Sequence, residues 1–245
     1  MPQCNATMQC VPTARRYSPC KRVIFDDRKC GGRKVCLKKQ HLSTFKKMSE
    51  LSKKNQIEYA GFIDLYNDRN TFVTSHKRNC VVNRDVKKIW PKPFAYHTHT
   101  FPELFTIAPG KVLTTLPSDE DFMIYIKLYP YMQANCICDS EGFYHVDIVD
   151  AATKLNLPLP HALSKTMNDF RNMDHLREKK VIVEGVEYFE TSIVEWKQII
   201  NVELNSHLHD LYGLSITYYT FDEESVVIRF EDESLLWNLI ADFNC

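Results

Sequence analysis

The strongest constraint in this sequence is a carboxylate in apolar company. Glu58 stands inside the run Ile57-Glu58-Tyr59-Ala60-Gly61-Phe62-Ile63-Asp64-Leu65. A run of this length and composition predicts a strand, and a carboxylate taken out of water within it is costly unless it is paired or set near a metal. The fold must therefore bring a partner to Glu58, and two other segments offer one. Phe94-Ala95-Tyr96-His97-Thr98-His99, entered after Pro91 and Pro93, predicts a further strand. Alternation along a strand puts residues i and i+2 on one face, so His97 and His99 can present both imidazoles to a common point. Ser118-Asp119-Glu120-Asp121 opens a helix, and a carboxylate from its first turn supplies a third ligand.

Two imidazoles and one carboxylate leave a fourth tetrahedral position for water, the donor set of a catalytic zinc site. A structural zinc would use cysteines and close that position. Bland readings stand beside this one. The histidines suit an exposed strand pair, and Ser118 with Asp121 suits an N-cap and its capping-box partner. Cap and ligand are compatible, because a cap fixes the ligand's rotamer. Asp119 and Glu120 compete with Asp121 for the third position. His207 and His209 repeat the His-x-His spacing, but in a helical pattern, where i and i+2 do not face each other.

Around these segments the periodicity predicts an α/β chain. Strands are expected at 35–37, 57–65, 72–74, 80–82 and 94–99, with helices at 41–54 and 118–129 and a hairpin at 135–138 and 142–149. Leu42, Phe45, Met48 and Leu51 mark the buried face of the first helix. Residues 102–117 read mostly as loop. Behind Pro158 and Pro160 the pattern gives helices at 161–177, 192–212 and 232–243 and strands at 181–189, 214–221 and 225–230, with Gly213 where a helix C′ glycine belongs.

Taken in order, Glu58, His97-x-His99 and Ser118-x-x-Asp121 resemble the signature of the JAMM (MPN+) zinc metallopeptidases. Glu58-x-x-Gly61 matches that family's Glu-x-x-Gly spacing, and the likeness runs over roughly residues 33–150. It implies a curved mixed β-sheet flanked by helices for that segment, with residues 151–245 as a C-terminal α+β extension. It further implies one Zn²⁺ held by His97, His99 and Asp121 with water as fourth ligand. Glu58 would then be the general base and Ser118 the hydrogen-bond donor to the oxyanion. The substrate class implied is ubiquitin or a ubiquitin-like protein conjugated to a lysine, cut by an isopeptidase or peptidase. The sequence departs from the family pattern in two places. Thr100-Phe101-Pro102 follows His99 where the family has proline at once, and Asp121 lies 22 positions after His99, about twice the usual spacing. The extra segment, Phe101 to Pro117, is expected to loop out beside the site as a substrate lid or a regulatory flap.

The formal net charge of zero hides an asymmetry. Residues 1–40 hold ten lysines and arginines against Asp26 and Asp27, a balance of +8, and the remainder carries −8. Residues 1–32, punctuated by Pro2, Pro12, Pro19 and Gly31-Gly32, read as a basic, cysteine-rich arm that the chemistry does not need. Five of the nine cysteines (Cys4, Cys10, Cys20, Cys30 and Cys36) cluster there or just beyond, without a C-x2–4-C knuckle. An odd cysteine count without a secretion signal argues against a complete disulfide framework and for an intracellular chain, cytoplasmic or nuclear. No window is apolar enough for a membrane span, so no membrane partner is expected. A protein partner on the C-terminal extension and nucleic acid on residues 1–40 are further expectations. Two rival readings follow: a catalytically inactive scaffold of the same fold, or a nucleic-acid-associated module whose metal is structural.

Overall fold

The structure, a computed structural model, describes residues 34–64, 69–74, 94–103, 105–128, 132, 134–148 and 160–229. The arm at 1–32, the strand expected at 80–82 and the helix expected at 232–243 lie outside the described residues. The chain opens with β1 (Lys34–Lys38), α1 (Lys39–Asn55), β2 (Tyr59–Asp64), β3 (Arg69–Thr74) and β4 (Phe94–Thr98). Then follow β5 (Val112–Thr114), α2 (Asp119–Leu128), β6 (Ala134–Cys138) and β7 (Gly142–Ile148). The later part supplies α3 (Pro160–Arg171), α4 (Asp174–Arg177), β8 (Lys180–Val183) and β9 (Val186–Thr191). A long helical segment comes next: α5 (Ile193–Gln198), a π-helical stretch (Ile199–Leu204) and α6 (Asn205–Tyr212). It ends at Gly213, whose φ of 60° makes the expected left-handed cap before β10 (Leu214–Thr220) and β11 (Ser225–Arg229).

The architecture is mixed α/β. Six strands form one sheet in the order β10-β7-β6-β4-β2-β3, and among its pairs only β4 and β6 run parallel. A parallel neighbour needs a crossover, and the chain between β4 and β6 makes it with α2. The two faces of the sheet bury separate clusters. On one, Phe45 of α1 packs against Tyr96 and Phe143, with ring centroids 4.9 and 5.2 Å apart. On the other, Phe122, Tyr125 and Ile126 of α2 join Ile137, Tyr144 and Val146 and the helices of the later segment. Covered on both sides, β6 is buried at every position, so its apolar run includes the free, buried Cys136 and Cys138 as small hydrophobes. Cys36 in β1 is disulfide-bonded. No helix among the described residues is long and apolar enough to cross a membrane.

Residues 160–229 are woven into the same sheets. β10 pairs with β7 over seven residues, and β1 pairs with β11. The outer edge of β10 is covered by side chains of the long helical segment. Asn205 Oδ1 accepts from Ile216 N–H at 2.8 Å, and Asn201 Oδ1 accepts from Tyr218 N–H at 2.6 Å. Amides that an edge strand leaves unpaired are thus satisfied without another chain. Two expected elements differ in detail. The strand expected at 181–189 is a hairpin, because Glu184 and Gly185 both take positive φ (52° and 79°), the two-residue turn that matches strand twist. The helix expected at 161–177 breaks at Asn172 and Met173 into α3 and α4.

Residues 101–117 contain a strand where mostly loop is expected. β5 pairs with β9 to make a three-stranded sheet with β8, and Phe101 and Leu113 pack on Tyr188. Ser140 Oγ donates to Leu113 O at 2.5 Å, Tyr144 Oη to Thr115 O at 2.8 Å, and Arg171 Nη2 to Pro117 O at 3.1 Å. Its backbone is therefore tied down at several points along its length.

Gly142 starts β7 with no room for a side chain. A Cβ there would lie 2.1 Å from Tyr219 O and 2.8 Å from the Tyr218 ring. Gly142→Ala is expected to destabilise the protein by about 2–3 kcal/mol, measured as a lower denaturant midpoint at unchanged m-value.

Candidate metal centre

The end of β4 carries the two imidazoles. β4 pairs in parallel with β6, with His97 beside Ile137 and Thr98 beside Cys138, and His99 N–H continues that ladder to Cys138 O at 3.0 Å. Alternation puts His97 and His99 on the α2 side of the sheet, as the sequence predicts, and their ring centroids stand 5.3 Å apart. Thr98 points to the opposite, α1 side.

The start of α2 carries the carboxylate. Ser118 is the N-cap: its Oγ accepts from Asp121 N–H at 3.2 Å, and its own N–H donates to Asp121 Oδ2 at 2.8 Å. This reciprocal capping box fixes the Asp121 rotamer, so the bland reading of the Ser-x-x-Asp motif holds. The same rotamer aims Asp121 at the histidines. Its Oδ1 lies 3.0 Å from His97 Nε2 and its Oδ2 lies 3.2 Å from His99 Nε2. Asp119 and Glu120 stay outside the group.

One ligand atom from each of His97, His99 and Asp121 can be chosen so that all three lie within 4.8 Å of one another. No other such group of three occurs among the described residues, so His207 and His209 on α6 stay outside any cluster of this kind. Ligands around a tetrahedral ion with bonds of about 2.0–2.1 Å sit about 3.3 Å apart, and each Asp121 oxygen stands near that distance from one imidazole, at 3.0 and 3.2 Å. His97 Nε2 is buried and faces Asp121 Oδ1 at 3.0 Å. Two imidazoles and a carboxylate converging in this way are a donor set that fits a metal ion.

Glu58 approaches the group from just before β2. It lies one residue before the strand, where an interior strand position is expected. Burial raises its pKa, the two imidazoles act against that, and Asp121 adds to it; the net direction is up. These couplings put Glu58 within electrostatic reach of His97, His99 and Asp121. Burial would also raise Asp121, but the two imidazoles hold it well below the usual carboxylate range. Burial lowers His99, yet the hydrogen bond and charge of Asp121, with Glu58 and Asp139 adding, leave its pKa raised.

Four supporting residues escape the sequence reading. Asn135 Nδ2 donates to Asp121 O at 3.3 Å. Ser52 and Thr98 contact the segments beside Glu58. Asp139, fully buried, accepts from Glu141 N–H, Gly142 N–H and Tyr218 Oη, with Tyr144 Oη 3.2 Å from its second oxygen, and burial is the main reason its pKa is raised. The Asp-Ser-Glu-Gly turn signal was legible, but nothing local announces that its aspartate faces inward to two tyrosines.

With the geometry established, comparison with known proteins gives no match: no family model, no curated protein and no solved structure matches the chain.

Two predictions follow from this geometry. Asp121→Ala is expected to abolish metal binding, whereas Asp119→Ala keeps it, as read by metal content after dialysis. Metal and proton compete for the His99 imidazole, and a raised pKa favours the proton. Affinity measured by competitive titration should therefore begin to fall at a pH above the ordinary histidine value of about 6.5. The depressed Asp121 pKa means that this ligand stays ionised through the same range.

Proposed function

We propose that this protein is a zinc-dependent isopeptidase or peptidase of JAMM type, acting on ubiquitin or ubiquitin-like conjugates. The observation that carries the reading is the convergence of His97, His99 and Asp121 with Glu58 coupled to them, in the order and roles the resemblance implies. The ubiquitin class rests on the resemblance alone. Zinc is favoured because imidazole and carboxylate donors suit it and because the set resembles a hydrolytic rather than a structural site.

His97, His99 and Asp121 would hold the ion, which supplies Lewis acidity and brings the pKa of a coordinated water from 15.7 to about 7. The chain's own groups do the rest. Glu58, with a pKa raised by burial, takes the proton from the attacking water and later delivers it to the leaving amine. The Ser118 hydroxyl uses a lone pair to accept from Asp121 N–H, which leaves its hydrogen to donate to the oxyanion on the substrate carbonyl. The capping box holds Ser118 and Asp121 in one rigid turn, so donor and ligand keep a fixed separation.

Glu58→Gln is expected to retain zinc and to lose about 10²- to 10⁴-fold in hydrolysis, measured on a panel of ubiquitin chains with metal content determined in parallel. A panel left uncut by zinc-loaded wild-type protein would sink the isopeptidase assignment.

A further inference from the structure

Glu58 occupies an unusual backbone position. The antiparallel ladder between β2 and β4 pairs Ala60 with His97, Gly61 with Tyr96 and Phe62 with Ala95, and it stops there. Continued by two rungs it would pair Tyr59 with Thr98 and Glu58 with His99. Side chains take over where the ladder ends. Tyr59 N–H donates to Thr98 Oγ1 at 3.0 Å, a bond buried in the core. On the other side of Glu58, Ser52 Oγ of α1 donates to Ile57 O at 2.7 Å and lies 3.2 Å from His99 O. The residues before and after Glu58 are thus each held by a hydroxyl that also belongs to, or reaches, the histidine segment.

We propose that Thr98 and Ser52 are positioning residues, a two-hydroxyl clamp that sets the Glu58 carboxyl against the His97–His99 pair. The middle residue of His-x-His then has a task of its own. Its flanking imidazoles face one side of the sheet while its hydroxyl, fully buried on the other, replaces a missing rung to the glutamate strand. Neither residue is a ligand, and both side chains are fully buried, so neither contacts substrate. The imidazoles do not depend on the clamp, because β6 holds them through the parallel ladder and through Cys138 O. Loss of the clamp should therefore move Glu58 and spare the metal.

The role of Glu58 rests on the function proposed above, so the test separates the two. Thr98→Val keeps the shape and removes the acceptor; Thr98→Ser restores it; Ser52→Ala removes the second hydroxyl. Three quantities are measured: hydrogen exchange at the Tyr59 amide, zinc affinity by competition with a chromophoric chelator, and kcat against KM. In Thr98→Val, Tyr59 exchange is expected to rise about fivefold or more, since a buried donor loses its acceptor. Zinc affinity should stay within about threefold, because the ligand rows remain paired. The kcat should fall about 10- to 100-fold with little change in KM, the signature of a misplaced catalytic group. Thr98→Ser should recover all of these, and Ser52→Ala should reproduce the Thr98→Val pattern in zinc affinity and kcat. Unchanged Tyr59 exchange in Thr98→Val, or zinc affinity falling in step with kcat, would overturn the clamp. If zinc-loaded wild-type protein cleaves nothing, the proposed function fails by itself. Exchange at Tyr59 together with retained zinc affinity then still decides whether the clamp exists.

Discussion

A single desolvated carboxylate organises this structure. Asp121 is buried at the first turn of α2, and an ionised carboxylate there, left alone, costs several kcal/mol. Its polar groups are instead all engaged. The side-chain oxygens meet the Ser118 N–H and the two imidazoles, the backbone N–H meets Ser118 Oγ, and the backbone carbonyl accepts from Asn135. One residue therefore joins the start of a helix, the end of β4 and the start of β6. The depressed pKa of Asp121 and the raised pKa of His99 are two faces of this contact. Glu58, beside them, is raised toward its neutral form by burial.

The later part of the chain makes that cluster rigid. Asp139 takes a hydroxyl bond from Tyr218, its other oxygen lies 3.2 Å from Tyr144 Oη, Trp196 Nε1 donates to Tyr144 Oη at 2.8 Å, and Tyr144 donates onward to Thr115 O. This satisfied buried network links the turn after β6, strand β10, helix α5 and the segment between His99 and Asp121. Such networks rigidify a core when every member is paired. The pairing of β5 with β9 works in the same direction. A connection of 22 positions between His99 and Asp121 would otherwise leave their separation to loop entropy. Asn201 and Asn205, carried at the π-helical stretch and just after it, occupy the edge of β10 and keep the large sheet from offering an open strand there.

Much of this was legible in the sequence because it depends on short-range periodicity. The amphipathic repeat of Leu42, Phe45 and Met48 specified α1, alternation put His97 and His99 on one face, Ser118 announced α2, and Gly213 ended α6. Those same local rules failed where a few residues weigh against a longer pattern. Glu184-Gly185 turned one expected strand into a hairpin, and Glu58 fell just outside β2, whose ladder with β3 reaches Tyr59 and whose ladder with β4 reaches Ala60.

The sequence by itself determined the α/β class and narrowed the candidate metal-binding residues to His97, His99 and the first-turn carboxylates of α2, among which the Ser-x-x-Asp register of the resemblance favours Asp121. Only the tertiary structure decided how those residues are held together. Residues 112–114 became a strand because β9 offered an edge, which no local signal at Val112–Thr114 reveals. Thr98 and Ser52 reach the flanks of Glu58 and the His99 carbonyl through hydrogen bonds spanning 39 and 47 positions of the chain, and Tyr218 reaches Asp139 across 79. A hydroxyl inside a strand or helix reads the same whether it faces solvent or a backbone amide. Its partner is fixed only when packing brings distant segments within hydrogen-bond range and removes the water that would otherwise satisfy both.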